Sequence, residues 1–145
     1  MNQNVVRLEQ LEPLAQGSNA CIHKAFDSNQ QIHVVVKSAQ RPSNDENDQG
    51  IPVSILREAA LLRSLHHPHV ISLHEVLMTP STVCLVMDLY SCDLCQHLDE
   101  LRAGGCVTTD PVSLRRIGSH LLSALGFCHD NDVMHRHQKS CASLI

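Results

Sequence analysis

The chain has 145 residues, of which 43% are hydrophobic and 18% are charged. This is the size of a single domain and the composition of a globular protein rather than a disordered one. Its formal net charge of -4 argues against a general nucleic-acid binder.

The sequence predicts neither a signal peptide nor a membrane span. Its first residues contain no apolar run, and no stretch is apolar over the ~18 residues that a span needs. The seven cysteines are an odd number at irregular spacing. Reduced thiols in the cytoplasm or nucleus are therefore the expectation.

The first third of the sequence predicts three β-strands. The first leads from residues 5–8 into residues 14–22, and the second covers residues 23–26. A turn-like segment at 27–29 precedes the third strand at 32–37, where β-branched residues suit a pleated surface.

A polar, acidic loop is predicted at residues 43–50, followed by a helix at 52–65. Ile55, Ala59 and Leu62 fall on one face of that helix at helical spacing. Glu58 lies beside this face, so its carboxylate can point inward. Lys37, which ends the β-branched run, is the expected partner of this carboxylate.

Two further strands are predicted at residues 70–73 and 83–87, with a turn at 78–81 between them. A short connector at 88–92 leads to a helix at 93–102, which Gly104 and Gly105 would stop.

The last predicted helix begins at Asp110-Pro111, a capping side chain followed by proline at the first helical position. It runs to about residue 129. An apolar stripe along it is expected to pack in a core and consists of Leu114, Ile117, Leu121, Ala124, Leu125 and Cys128.

Residues 5–136 resemble the cyclin-dependent kinase family of protein serine/threonine kinases. Residues 50–58, Gly-Ile-Pro-Val-Ser-Ile-Leu-Arg-Glu, are similar to the PSTAIRE-type helix of that family. Further matching stretches follow in the same order, at residues 65–70, 85–89 with 93–94, 125–129 and 133–136. Several motifs in a fixed order are far more specific than one motif alone.

The resemblance implies an α+β fold. Residues 1–88 would form a protein-kinase-like small lobe, a five-stranded antiparallel sheet plus one helix. Residues 89–145 would form the hinge and an incomplete start of the large lobe, with its first two helices.

The resemblance also implies an ATP site, whose cofactor-binding residues would be Ala15, Gly17, Ile22, Val35, Lys37, Glu58, Met87, Asp88, Tyr90 and Asp93. Gly17 would lie in the phosphate-covering loop, and Ile22 would keep an apolar lid over the base. Lys37 would hold the nucleotide phosphates, and Glu58 would hold Lys37.

On the adenine side, the resemblance makes Met87 the gatekeeper behind the base. Asp88 and Tyr90 would offer backbone groups to the adenine edge, and Asp93 would lie near the ribose. The helix at 52–65 would be the element that faces a cyclin.

The phosphate loop departs from the family pattern. The family has three glycines there, because the backbone must approach phosphate oxygens closely. This chain has Ala15, Gly17 and Ala20 at those positions. Weakened phosphate binding is therefore expected, so ATP affinity would be weak or lost.

The catalytic loop departs further. The family's His-Arg-Asp is His135-Arg136-His137 here, and the family's magnesium-binding asparagine is Ala142; only Lys139 keeps its place. No Asp-Phe-Gly motif follows. Because phosphoryl transfer depends on metal ions and positioned carboxylates, no intact catalytic residue, no bound magnesium and no kinase activity are expected from this truncated, pseudokinase-like chain.

Two alternatives remain open at this stage. The chain could be a non-catalytic, cyclin-binding decoy module that uses the helix at 52–65. It could also be a small zinc protein, since Cys92, Cys95 and His97 have zinc-like spacing. However, a structural zinc site needs four ligands, and only one Cys-x-x-Cys occurs.

Overall fold

The computed structural model describes residues 7–16, 20–40, 51–79, 81–104 and 110–134. Within these ranges the chain forms five strands and three helices, in the order β1 (Leu8–Gln16), β2 (Cys21–Asp27), β3 (Ile32–Gln40), α1 (Val53–Ser64), β4 (Leu73–Met78), β5 (Thr82–Asp88), α2 (Leu94–Ala103) and α3 (Pro111–Asp130).

The chain divides into two compact units. The first runs to Ser64 and also includes Ser72–Leu89, and the second consists of Leu65–Ile71 and Tyr90–Ile145. The first unit therefore holds the five strands and α1, and the second holds α2 and α3.

All neighbouring strands of the sheet are antiparallel, in the order β1-β2-β3-β5-β4. The central strand β3 pairs with β2 and with β5 without a register shift. Its run of three valines explains this position, because β-branched residues pack well on both faces of a buried strand. The predicted five-stranded antiparallel sheet is confirmed.

One face of the sheet carries an aliphatic core. Its buried members come from four strands and are Ala25, Val34, Val36, Leu77, Cys84 and Val86, with Leu8 packed against them. Burial also raises the pKa of the Cys84 thiol. Few aromatic residues are available, so close packing of small branched side chains supplies this core.

The helix α1 begins after Pro52, whose carbonyl accepts hydrogen bonds from the backbone N–H groups of Ile55 and Leu56 at 3.1 and 3.4 Å. It buries Ile55 and Ala59, as predicted, while Leu62 is half-buried. Since Glu58 lies three residues after Ile55, it shares the inward side of the helix.

The predicted limits of two strands are wrong. Ile22 lies in β2 rather than in the first strand, because β1 ends at Gln16 and Gln16 pairs with Cys21. The strand predicted at 70–73 starts only at Leu73. Val70 is instead part of a turn, in which its N–H donates to the His67 carbonyl at 3.0 Å.

A charged cluster in the first unit joins the start of β1 to β2 and β4. Arg7 Nε lies 3.3 Å from Asp27 Oδ2, and the Arg7 guanidinium also contacts the Glu75 carboxylate. Asp27 is only 1% exposed, and its Oδ1 accepts from the N–H groups of Asn29 and Gln30 at 2.9 and 3.2 Å. The Nε and Oδ2 atoms do not meet the geometry of a hydrogen bond, so their attraction is mainly Coulombic.

In the second unit, α3 starts as its sequence predicts. Asp110 Oδ1 accepts hydrogen bonds from the N–H groups of Val112 and Ser113 at 2.8 and 3.0 Å, and Pro111 is the first helical residue. Bonds from Ser113 and Val112 lower the pKa of the Asp110 carboxyl. Leu114, which was predicted to pack in a core, is 61% exposed, because the buried side of the helix centres on Ala124.

The segment Leu65–Ile71 belongs to the second unit because two of its apolar residues pack on α3. Leu65 and Val70 form a buried cluster with Ala124, bordered by Phe127, Cys128 and Val133. Burial raises the pKa of the Cys128 thiol in this cluster.

Histidines extend this contact towards the surface. The rings of His69 and His120 stack with centroids 3.8 Å apart and planes inclined by 15°. His67 stacks on Phe127 at 5.1 Å, and its Nε2 lies 3.0 Å from Ser123 Oγ. Desolvation, the neighbouring His69 and Arg116 all lower the pKa of His120 below the ordinary value of 6.5.

We expect this stack to make the protein less stable in mild acid. Because the pKa of His120 is lower when the chain is folded, the unfolded chain binds protons more readily around pH 6. The contribution of His120 to the free energy of unfolding is therefore fully present above its ordinary pKa of 6.5 and is lost as the pH drops through and below that value. Thermal unfolding midpoints measured between about pH 7.5 and pH 5 should show this decline.

The matched variant for this measurement is His120→Phe, which keeps an aromatic ring on His69 but cannot titrate. Its midpoint should decline less over the same pH range than that of the unchanged chain. Equal declines would show that the His69–His120 stack does not couple protonation to folding.

Candidate functional site

The first unit contains one ion pair that links its helix to its central strand. Lys37 on β3 donates from Nζ to both carboxylate oxygens of Glu58 on α1, at 2.8 Å to Oε1 and 2.7 Å to Oε2. The two side chains are 26% and 35% exposed. The contact predicted from the sequence is therefore present, and it is partly shielded from solvent rather than lying free on the surface.

Strand register determines what lies around this ammonium. Lys37 pairs with Ile22 on β2 and with Leu85 on β5. Ile22 in turn pairs with Ala15 on β1. Directly paired residues of antiparallel strands point to the same face of the sheet. Ala15, Ile22 and Lys37 therefore share one face.

Two more of the predicted residues, Val35 and Met87, form the neighbouring pair on the same face of the sheet. Val35 pairs with Met87 across the β3–β5 ladder, and each lies two residues from the row of Lys37. Because side chains alternate along a strand, Val35 and Met87 point to the same face as Lys37. The structure thus brings an ammonium and several apolar side chains together on one face.

Asp88 is the last residue of β5. Because it pairs with Val34, its side chain points to the opposite face of the sheet from that of Lys37. Its Oδ1 lies 2.7 Å from His74 Nε2, and its N–H donates to the Ser72 carbonyl at 3.3 Å. The carboxylate is thus engaged by β4. This pair was not anticipated, because no sequence pattern indicates that His74 and Asp88 are neighbours.

The remaining predicted residues belong to the second unit or lie outside the described part of the chain. Tyr90 and Asp93 belong to the second unit, where Asp93 is the N-cap of α2 and accepts from the Gln96 N–H at 2.7 Å. Gly17 and the predicted catalytic-loop residues lie outside the described part of the chain, and the latter are His135, Arg136, His137 and Lys139.

Comparison with known proteins shows the family of this chain. The protein kinase domain family matches residues 8–142, which is nearly the whole chain. The chain belongs to the protein kinase domain family. It is also 30% identical over 131 residues to "Cyclin-dependent kinase 14" of Xenopus tropicalis, a match that covers 90% of this chain. The chain spans 29% of the length of that relative.

Within the kinase family the first unit corresponds to the small lobe, and the second to the start of the large lobe. The five-stranded antiparallel sheet with α1, followed by α2 and α3, fits this assignment. The cyclin-dependent kinase resemblance seen in the sequence is confirmed at the level of the family.

The kinase-type ion pair has a defined chemical capacity. An ammonium carries three N–H donors, and the two contacts with Glu58 account for two of them. A further donor can serve an anionic oxygen. Glu58 thus limits where Lys37 can place its charge.

The described ranges contain neither a metal-binding cluster nor a membrane-spanning helix. In the described ranges, no group of three or more His, Cys, Asp and Glu side chains is arranged to hold a metal ion. No helix in those ranges is long and apolar enough to span a bilayer.

Proposed function

We propose that the first unit of this kinase-family chain binds the phosphates of an adenine nucleotide through Lys37. The observation that supports this most directly is the double contact between Lys37 and Glu58 at 2.7 and 2.8 Å. In protein kinases a strand lysine held by a helix glutamate positions the α- and β-phosphates. Lys37 would hold the phosphates here, with Glu58 fixing its orientation.

The apolar side chains of the same face support binding of the base. Ile22, Val35 and Met87 would contact the faces and inner edge of an adenine ring, which favours apolar surroundings. Asp88 would contribute backbone groups rather than its carboxylate, which is engaged with His74. Alanine at positions 15 and 20 would weaken the hold on the phosphates, so the proposed affinity is modest.

We further propose that the chain does not transfer the phosphoryl group. The proton-accepting aspartate and the magnesium-binding asparagine of the family are His137 and Ala142 in this sequence. Phosphoryl transfer relies on metal ions that neutralise charge between the phosphates. The alanine at the position of the magnesium-binding asparagine would make nucleotide binding less dependent on magnesium.

Replacing Lys37 by methionine is expected to abolish nucleotide-dependent stabilisation. At a nucleotide concentration about 100 times Kd, a binding-competent chain gains about 2.7 kcal/mol, which a thermal-shift assay detects as a higher melting temperature. Lys37→Met removes the charge while retaining most of the apolar stem. The measurement compares melting curves with and without ATP, in the presence and absence of magnesium.

Arg102→Met is the matched control, because Arg102 is an exposed cation that pairs with Asp99 on α2. It should melt with the same ATP-dependent shift as the unchanged chain. An unchanged shift in Lys37→Met would refute the assignment of Lys37. The absence of any shift in the unchanged chain would refute nucleotide binding.

Kinase activity is tested separately, with labelled Mg-ATP and a generic protein substrate. Label incorporation should be no greater for the unchanged chain than for Lys37→Met. Incorporation that depends on Lys37 would contradict the proposed lack of transfer while leaving nucleotide binding supported.

A second candidate function is cyclin docking through α1. Three large apolar side chains of this helix are exposed, Val53, Leu56 and Leu61. Arg57 is exposed as well, and the similar Xenopus protein is named as cyclin-dependent. Leu56→Asp should weaken capture of a purified cyclin, whereas Val112→Asp, at an exposed site on α3, should not. Equal capture by both variants would exclude α1 as the docking element.

A further inference from the structure

The segment Leu65–Ile71 is held against α3 partly by His67, whose two ring nitrogens both make contacts in the uncharged form. His67 Nδ1 accepts a hydrogen bond from the backbone N–H of His69 at 3.1 Å, and Nε2 lies 3.0 Å from Ser123 Oγ. A backbone N–H can only donate, so Nδ1 carries no proton. The proton of the neutral ring is therefore on Nε2, which donates to Ser123. The uncharged imidazole satisfies both contacts at once.

A second proton on His67 would break one of these contacts. It can be added only at Nδ1, which would then be a donor that faces the N–H of His69. The backbone N–H would lose its acceptor, and the two donors would repel each other. The contact of Nε2 with Ser123 and the stack on Phe127 do not require an unprotonated Nδ1. Charging His67 therefore removes the hydrogen bond that fixes the backbone of His69.

The second histidine of this contact, His69, meets another histidine on α3. The rings of His69 and His120 stack with centroids 3.8 Å apart, and the ring centroid of His67 lies 5.4 Å from that of His69. Positive charges at such distances repel, and Arg116 adds a cation on the same helix. Desolvation, His69 and Arg116 all lower the pKa of His120. The stack is therefore most stable when at most one of its two rings is charged.

The apolar contact beside these histidines is small. In the described residues it consists of Leu65 and Val70, buried with Ala124 and bordered by Phe127, Cys128 and Val133. Burial raises the pKa of the Cys128 thiol, so this group carries no negative charge in mild acid to offset charged imidazoles. Segments with few buried apolar contacts open at a lower free energy than the centre of a sheet. The state of the histidines therefore weighs heavily in whether Leu65–Ile71 stays on α3.

We propose that Leu65–Ile71 and α3 form a pH-sensitive latch, which mild acid opens while the five-stranded sheet remains folded. Protonation of His67 and of both rings in the His69–His120 stack favours the released segment, in which the imidazoles are hydrated and apart. Because the released form binds more protons, its population rises as the pH falls. The acid sensitivity expected of the whole chain from His120 does not require such a local opening. The latch is also independent of nucleotide binding by the first unit.

Hydrogen–deuterium exchange of the purified full chain, read by mass spectrometry at about pH 7.5 and about pH 5.5, tests the latch. Labelling times are adjusted for the slower exchange of unstructured amides in acid, so that protection factors are compared. The amides of His69 and Val70 donate to His67 Nδ1 and to the His67 carbonyl. They should lose up to about tenfold in protection for each imidazole that is neutral only when docked, since an ordinary imidazole is mostly charged one unit below its pKa. Peptides from β3 and β5 should keep their protection.

Variants assign the loss to the histidines. In His67→Asn the new Oδ1 can accept from the His69 N–H at any pH, and His120→Phe keeps a ring on His69 that cannot titrate. The double variant His67→Asn/His120→Phe should retain the protection of residues 65–71 at the lower pH. His66→Asn is the matched control, because His66 is exposed in the same segment. It should lose protection as the unchanged chain does.

Three results would overturn the proposal. They are unchanged protection of residues 65–71 in acid, an equal loss of protection in β3 and β5, and a double variant that loses protection as the unchanged chain does. Circular dichroism in neutral buffer checks that each variant has folded. The comparison of residues 65–71 with β3 and β5 is made within the unchanged chain, so it decides the proposal even if a variant does not fold.

Discussion

Replacing Arg7 by methionine is expected to lower the free energy of unfolding by about 3 kcal/mol, because it leaves a buried carboxylate without its paired cation. Asp27 is 1% exposed, and Arg7 is the cation placed against it. The hydrogen bonds from Asn29 and Gln30 to Asp27 would remain, but they do not replace a full positive charge. Urea unfolding of the purified chain measures the change.

Lys24→Met provides the comparison for this experiment. Lys24 forms an ion pair with Glu12 at 3.2 Å in the same sheet, but Glu12 is mostly exposed. Removing an exposed pair costs no more than about 1 kcal/mol. A loss for Arg7→Met as small as that for Lys24→Met would show that the cluster of Arg7, Asp27 and Glu75 adds little to stability.

Truncating Leu85 to alanine should also be costly, at about 3 kcal/mol. Leu85 is 0% exposed in β5 and lies directly across from Lys37. The change removes apolar contacts and leaves a cavity that close-packed neighbours fill only in part. Because the cavity lies next to Lys37, this variant should also respond less to ATP in the thermal-shift assay if the proposed site is correct.

The same chemical change at an exposed strand position separates cavity formation from strand propensity. Leu11 in β1 is 48% exposed, so Leu11→Ala should cost less than about 1 kcal/mol. Equal destabilisation by Leu85→Ala and Leu11→Ala would mean that β5 is not packed as the structure indicates.

The contact between Lys37 and Glu58 was predictable because each residue stands in a strong local pattern. Lys37 ends a β-branched run, and Glu58 lies beside the helical face of Ile55 and Ala59. Because α1 has a single apolar face, it can pack against the preceding strand in only a few orientations. The resemblance to kinases then indicated which charges would meet.

The charged cluster of Arg7, Asp27 and Glu75 could not be predicted in this way. Arg7 and Glu75 are separated by 68 residues, and neither stands in a motif. Their contact results from strand order, which brings distant parts of the chain together only after the sheet has formed. Local propensity carries no information about such a pairing.

The segment before β4 shows where local propensity misled. Val70 and Ile71 favour a strand by residue type. Instead, Val70 is buried against Leu65 and Ala124 in the second unit, and its N–H closes a turn on His67. Tertiary burial overrode the β preference here. The same packing brings His69 against His120, a contact that no local sequence pattern indicates.

The unbroken ladders on both sides of β3 restrict how this strand can change length. Lys37 lies five residues after Ile32, the first residue of β3. This odd spacing places its side chain on the face of the sheet where Glu58 of α1 accepts from its ammonium. Deleting one residue from the middle of the strand would reverse every later side chain and turn the ammonium away from the helix. Deleting two would restore the facing side. Tolerance of engineered deletions in β3 should therefore alternate between odd and even numbers of residues.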